Sequence, residues 1–222
     1  MAEHLQLTAS DGFQLDAYLA PASGKPKGAV LVIQEIFGVN QHIRQVCDGY
    51  ALAGYTALAP AIFDRAEKNV ELGYNPADIT RGAGIARGQL DLATTMLDLQ
   101  AGIDYLQQFG NVGVVGYCFG GMLTWLCASQ ARGLHCASGY YGGGIPQMLD
   151  KGPKIPIILH FGDLDAHIPL TDVNKIKAAY PEVPVYVYAA DHGFNCDHRG
   201  SYNEAAATLA KERTLALFAK HL

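Results

Sequence analysis

The 222-residue sequence has no apolar run approaching the ~18 residues of a membrane-spanning helix, no block of basic side chains and no paired cysteine spacing. The first absence argues against a membrane as partner. The second, with 16 basic against 21 acidic residues and a net charge of −5, argues against nucleic acid or an anionic lipid surface. Cys47, Cys118, Cys127, Cys136 and Cys196 are odd in number and lack metal-type or disulfide-framework spacing, which predicts a reduced, cytoplasmic protein with no metal and no cofactor. Met1-Ala2-Glu3-His4 lacks the basic start and apolar core of a signal peptide. Charged residues are only 17% of the chain and apolar residues 50%, so disorder is not expected and a large core is. Neither an internal repeat nor a linker interrupts the chain, and residues 1–222 are expected to form one domain, as a monomer or small homo-oligomer.

What is present alternates strand and helix signals. Leu5–Thr8 and Phe13–Leu19 flank the turn Ser10-Asp11-Gly12 and predict a hairpin. Ala29–Ile33 is a continuous apolar run, as in a parallel strand covered on both faces. A helix over 41–53, a strand over 55–59, a long helix over 85–109 and a terminal helix over 202–222 follow from the patterning. Strands are expected at 111–115, 137–141, 157–161 and 185–188. Residues 60–84, with Pro60, Gly73, Pro76, Gly82 and Gly84, read as an irregular surface excursion. The class is therefore α/β, a mostly parallel sheet with helices on both faces.

The most informative stretch is Gly116-Tyr117-Cys118-Phe119-Gly120-Gly121, set between a β-branched strand and the apolar segment Met122–Ala128. A Gly-x-Cys-x-Gly in that context reads as a nucleophile elbow carrying cysteine, with a helix N-terminus behind the sulfur to favour its thiolate. The alternative is a glycine-rich turn around an inert cysteine. In parallel sheets reactive groups lie beyond the carboxyl ends of strands. Gly162-Asp163-Leu164-Asp165 and Asp191-His192-Gly193-Phe194 hold such places. With Cys118 they give the order nucleophile, acid, histidine: His192 to take the thiol proton and Asp165 to fix the imidazole tautomer. Asp163 and Asp191 are the rival acids, the first better suited to capping its loop and the second adjoining the histidine.

This pattern resembles the dienelactone hydrolase (carboxymethylenebutenolidase) family of α/β-hydrolases, through Gln34-Glu35-Ile36-Phe37-Gly38, the 116–121 elbow, Gly162–Asp165 with Pro169, and His192-Gly193-Phe194. The resemblance implies a Cys118-His192-Asp165 triad, Glu35 in contact with the resting thiol, and an oxyanion hole at the N–H groups of Phe119 and Ile36. It implies hydrolysis of a small lactone or activated ester through a cysteine thioester. Members that open dienelactone bind its carboxylate with arginines, one of them four residues past the histidine; here that position is Cys196. Arg199 and Arg81 are the substitutes expected for an anionic substrate, with Phe37, Tyr74 and Phe63 as pocket walls. Three other readings stand beside this one: a broad carboxylesterase or thioesterase, a thiol redox protein using Cys118, and a metal site from His160, Asp163, Asp165 and His167. His42, His135, His198 and His221 read as surface or loop histidines, and Tyr140-Tyr141 as core and turn.

Overall fold

A computed structural model describes residues 3–222; Met1 and Ala2, the start of the segment compared with a signal peptide, lie outside them. Eight strands form one sheet: β1 (Glu3–Thr8), β2 (Gln14–Ala20), β3 (Ala29–Ile33), β4 (Thr56–Pro60), β5 (Val112–Tyr117), β6 (Leu134–Tyr140), β7 (Ile157–Gly162) and β8 (Val185–Tyr188). Their order is β1-β2-β4-β3-β5-β6-β7-β8. β1 and β2 form the expected antiparallel hairpin, β2 runs antiparallel to β4, and all later pairings are parallel. β3 and β5 are buried along their whole lengths, which is why they read as unbroken apolar runs.

Helices α1 (Gln41–Leu52), α2 (Pro76–Gly88), α3 (Leu92–Leu106), α4 (Phe119–Gln130), α5 (Leu170–Ala179) and α6 (Glu204–His221) connect and cover the sheet. Strand alternation identifies the faces. Leu31 stands opposite Val114 in the sheet and packs against Gly102 of α3, whereas the neighbouring Gly113 lies under Phe218 of α6. The helices therefore occupy both faces. Phe218 also packs near Tyr50 of α1, which places α1 with α6. No helix among the described residues is long and apolar enough to cross a membrane.

Two expectations are corrected. The region 60–84 is not irregular to its end, because α2 begins at Pro76, with the Asn75 side chain accepting from Asp78 N. The helix expected over 85–109 is two helices: α2 stops at Gly88 and α3 restarts behind Asp91, whose carboxylate accepts from Thr94 N. α5 carries no expectation from the sequence reading; only Val173 and Ile176 are buried on it, too few apolar positions for a periodic signal.

A polar cluster lies beneath the carboxyl ends of β6 and β7. Arg213 Nη1 donates to the Tyr188 hydroxyl at 2.9 Å, and that hydroxyl meets His160 Nδ1 at 2.7 Å. Burial, with Arg213 nearby, drives the His160 pKa down to about 3. The imidazole is therefore neutral: Nδ1 accepts from Tyr188 and Nε2 faces Thr214 Oγ1 at 3.3 Å. The β7 end that leads to Asp165 is tied to α6 in this way.

Candidate active site

The chain crosses from one side of the sheet to the other between β4 and β5, so the ends of β3 and β5 diverge into a crevice. Cys118 sits there, between β5 and α4, with φ 55° and ψ −112°. A non-glycine residue in that conformation is strained, and its surroundings hold it. A Cβ on Gly116 would lie 2.1 Å from the Gly120 carbonyl oxygen, and one on Gly120 would lie 2.3 Å from that of Ile33. Only glycine at both places lets α4 start so close to β3 and β5.

His192 follows β8, and its Nε2 lies 3.2 Å from Cys118 Sγ. Its Nδ1 meets Asp165 Oδ2 at 2.7 Å. Asp165 Oδ1 accepts in turn from the N–H groups of His167 (2.8 Å) and Ile168 (3.1 Å). Burial by itself would lower the His192 pKa, but the hydrogen bonds with Asp165 and Cys118 outweigh it and raise it to about 10. Burial pushes Asp165 the other way, yet the bond from His192 and the two backbone donors hold it below the ordinary carboxylate value. Of the rival acids, Asp163 is exposed, and Asp191 accepts from the backbone N–H of His192 rather than from its ring.

Glu35 is placed differently from expectation. Its side chain is 1% exposed; Oε1 lies 3.4 Å from Arg199 Nη1, and Oε2 has no partner. Cys118 Sγ is hydrogen-bonded to His192, and no hydrogen bond joins it to Glu35, whose Oε1 faces Arg199 and whose Oε2 is unpaired. The buried Glu35 carboxylate needs a cation, and the half-buried Arg199, lying also against the rings of Phe37 and Tyr74, supplies it.

A cleft of about 900 Å³ opens over Cys118, and Ile36, Phe119, His167, His192 and Arg199 reach it. The N–H groups of Ile36 and Phe119 are not taken up by any turn, loop or cap hydrogen bond. The Ile36 peptide is set from behind: Gly82 of α2 is so close that a Cβ there would lie 1.9 Å from the Ile36 carbonyl oxygen.

Of the expected substrate residues, Phe37 and Arg199 line the cleft and Arg81 and Tyr74 do not. Tyr74 packs edge-on behind Phe37, with ring centres 4.7 Å apart. Arg81 is exposed and bound to Glu67. Phe63 is buried beside a separate cavity of about 410 Å³. The reason is helical phase: Ile79, Ala83, Ala86 and Arg87 fall on the cleft face of α2, and Arg81 falls on the other. Arg87, passed over in the sequence because the helix was expected to begin only at residue 85 and its cleft-facing phase was not read, is exposed on the wall and has no ion-pair partner among the described residues. One histidine assignment also changes, while Tyr140 and Tyr141 are core residues, as expected. His42 is 3% exposed, not a surface histidine, because α1 turns it toward residues 196–198. Tyr141, with φ 37°, packs its ring 5.1 Å from that of His192. The four residues of the alternative metal reading are not brought together: His160 bonds Tyr188 and Thr214, Asp165 bonds His192, and Asp163 and His167 are exposed. All five cysteines are unpaired.

Residues 15–222 match the sequence profile of the Dienelactone hydrolase family. A putative carboxymethylenebutenolidase of Synechocystis is 37% identical, covering 96% of this chain and 94% of its own length. Carboxymethylenebutenolidase of Pseudomonas putida is 30% identical, covering 99% and 97%. The crystal structure of a putative dienelactone hydrolase from Klebsiella pneumoniae superposes with a TM-score of 0.86 at 28% identity, covering all of both chains.

Proposed function

The chain belongs to the dienelactone hydrolase family, a family of lactone and ester hydrolases, and on that premise we propose that it opens a small lactone or activated ester through a thioester on Cys118. The observation that carries this is the unbroken line from Cys118 Sγ through both nitrogens of His192 to Asp165, at 3.2 and 2.7 Å. His192 Nε2 takes the thiol proton as Sγ attacks the carbonyl carbon. The carbonyl π electrons move to oxygen, which the N–H groups of Phe119 and Ile36 receive; one such donor is worth roughly 3–4 kcal/mol. The intermediate collapses by breaking the bond to the ring oxygen, and His192 returns its proton to that oxygen. Water then attacks the thioester with His192 as base, the C–S bond breaks, and the thiolate leaves. Asp165 holds Nδ1–H and offsets the imidazolium charge in both halves.

An anionic substrate is supported by Arg87 and Arg199 on the cleft. Arg199 already faces Glu35, so Arg87 is the more available cation. A second reading, a broad carboxylesterase or thioesterase, draws support from the apolar part of the wall, with Ile79, Leu90, Leu92 and Met122.

The test is hydrolysis of dienelactone, a neutral lactone of equal size and p-nitrophenyl acetate by the wild type and Cys118→Ala. Cys118-dependent preference for the carboxylated lactone is expected. Cys118-dependent turnover of the acetate alone would move the assignment to the broad esterase. Undiminished hydrolysis by a folded Cys118→Ala would overturn the mechanism.

A further inference from the structure

Behind the nucleophile, three side chains with metal-binding atoms converge from separate parts of the chain. Glu35 comes from the loop after β3, His42 from α1 and Cys196 from the loop after His192; all are buried, and their ligand atoms lie within 4.8 Å of one another. Two polar atoms of this set have no hydrogen-bond partner, Glu35 Oε2 and His42 Nε2, on side chains 1% and 3% exposed. Buried polar atoms left unpaired are costly, and two on adjoining residues point to a shared occupant. The His42 ring is already oriented for one: Nδ1 lies 3.3 Å from Asp197 Oδ1, the carboxylate-to-imidazole arrangement that fixes a metal-bound histidine.

We propose that Glu35, His42 and Cys196 form a binding site for a thiophilic divalent cation, zinc by the chemistry of its donors. One thiolate, one imidazole and one carboxylate suit zinc and leave its fourth position open. Tetrahedral zinc with bonds of about 2.0–2.3 Å sets its ligands roughly 3.5 Å apart, so small side-chain rotations close the set. Cys196 gives up its proton to solvent on binding, and thiolate and carboxylate together neutralise the cation. Arg199 stays on Glu35 Oε1 while the cation takes Oε2. Exposed Asp197 and His198 form a second trio with His42, also within 4.8 Å, and supply a path in from the surface. An occupied site ties the loop carrying Ile36 to α1, so loading is expected to change hydrolysis; this last consequence rests on the catalytic reading, and the binding itself does not.

The experiment uses chelator-treated Cys118→Ala protein, which removes Cys118 as a competing thiol. Cobalt(II) is added and the near-ultraviolet thiolate-to-cobalt charge-transfer band is recorded; zinc is then bound by equilibrium dialysis. One equivalent of zinc and a clear band are expected. Adding Cys196→Ser should abolish the band and weaken zinc binding about 100-fold, His42→Gln should weaken it about 10-fold, and His198→Ala should leave the band in place. A band that survives Cys196→Ser, or zinc affinity indifferent to His42→Gln, would overturn the site. So would absence of the band in Cys118→Ala alone, a result that does not depend on whether the further variants fold.

Discussion

Arg199 Nη1 lies 3.4 Å from Glu35 Oε1, with the two side chains 18% and 1% exposed. This pair fixes the charge beside Cys118, and each residue is the other's sole ion-pair partner among those described. Replacing Arg199 with Met leaves a carboxylate buried without its cation. A loss of about 2–3 kcal/mol in unfolding free energy is expected, below the roughly 3–5 kcal/mol of a fully buried pair because the contact is long and Arg199 is partly exposed. Denaturant unfolding checks it. Arg199→Met with Glu35→Gln should recover most of the loss, and a double variant as unstable as the single one would show that the pairing is not the cause.

Asp165→Asn should lower kcat about 10³–10⁴-fold, because the amide no longer holds Nδ1–H toward it. The same variant reports on pH. The His192 pKa is raised to about 10 in the fold from an ordinary 6.5. The stability it contributes is therefore fully present below about pH 6.5 and is lost as pH rises through about 10. Unfolding midpoints between those values should fall in the wild type and fall less in Asp165→Asn.

Acid acts on a different histidine. His160, with a pKa near 3, stays neutral in the fold, while in the unfolded chain it takes a proton below about pH 6.5. The unfolded state then binds more protons, so stability decreases as pH falls from about 6.5 toward 3. His160→Gln, with one amide in place of two ring nitrogens, should flatten that part of the pH–stability curve while lowering its plateau.

Gly82 and Gly84 make a matched pair on α2. A Cβ on Gly82 meets the Ile36 carbonyl oxygen at 1.9 Å, whereas one on Gly84 meets nothing within 4 Å. Gly82→Ala should lower kcat about 10²-fold, the scale of one misplaced oxyanion donor, and Gly84→Ala should stabilise the helix by about 0.5–1 kcal/mol without touching kcat. Equal kinetic effects from both would remove Ile36 from the oxyanion site.

Arg87→Ala should raise KM for carboxylated lactones several-fold and leave neutral esters unchanged. Arg81→Ala, already engaged with Glu67 away from the cleft, should alter neither. Steady-state kinetics on the charged and neutral lactones separates them.

Ala29–Ile33 was legible because burial on both faces writes itself as an unbroken apolar run, and Val185–Tyr188, only part-buried at the sheet margin, was legible from its alternating valines and tyrosines; both were found to the residue. Cys118, Asp165 and His192 were legible from their places after strands. The first part of α2 was not, since Pro76, Gly82 and Gly84 imitate a loop, and Gly82 is there for a close approach no local pattern announces. Reading 76–84 as irregular meant choosing Arg81 over Arg87. Glu35 was found, but its partner Arg199 lies 164 positions away and depends on tertiary packing. His42 was misjudged for the same reason, since a polar residue on an amphipathic helix reveals its burial only through what the far end of the chain lays over it.

Cys118, the proposed nucleophile, directly follows β5 in the middle of the sheet, while His192 follows β8, a four-residue strand at its margin. Sheet margins tend to open locally before the centre, so His192 is expected to be released at a lower temperature than Cys118. Detaching β8 withdraws His192 and leaves Cys118 seated between intact strands. On the catalytic reading, warming is therefore expected to remove hydrolysis below the temperature at which the fold is lost, and re-docking of one short strand on cooling is expected to restore it.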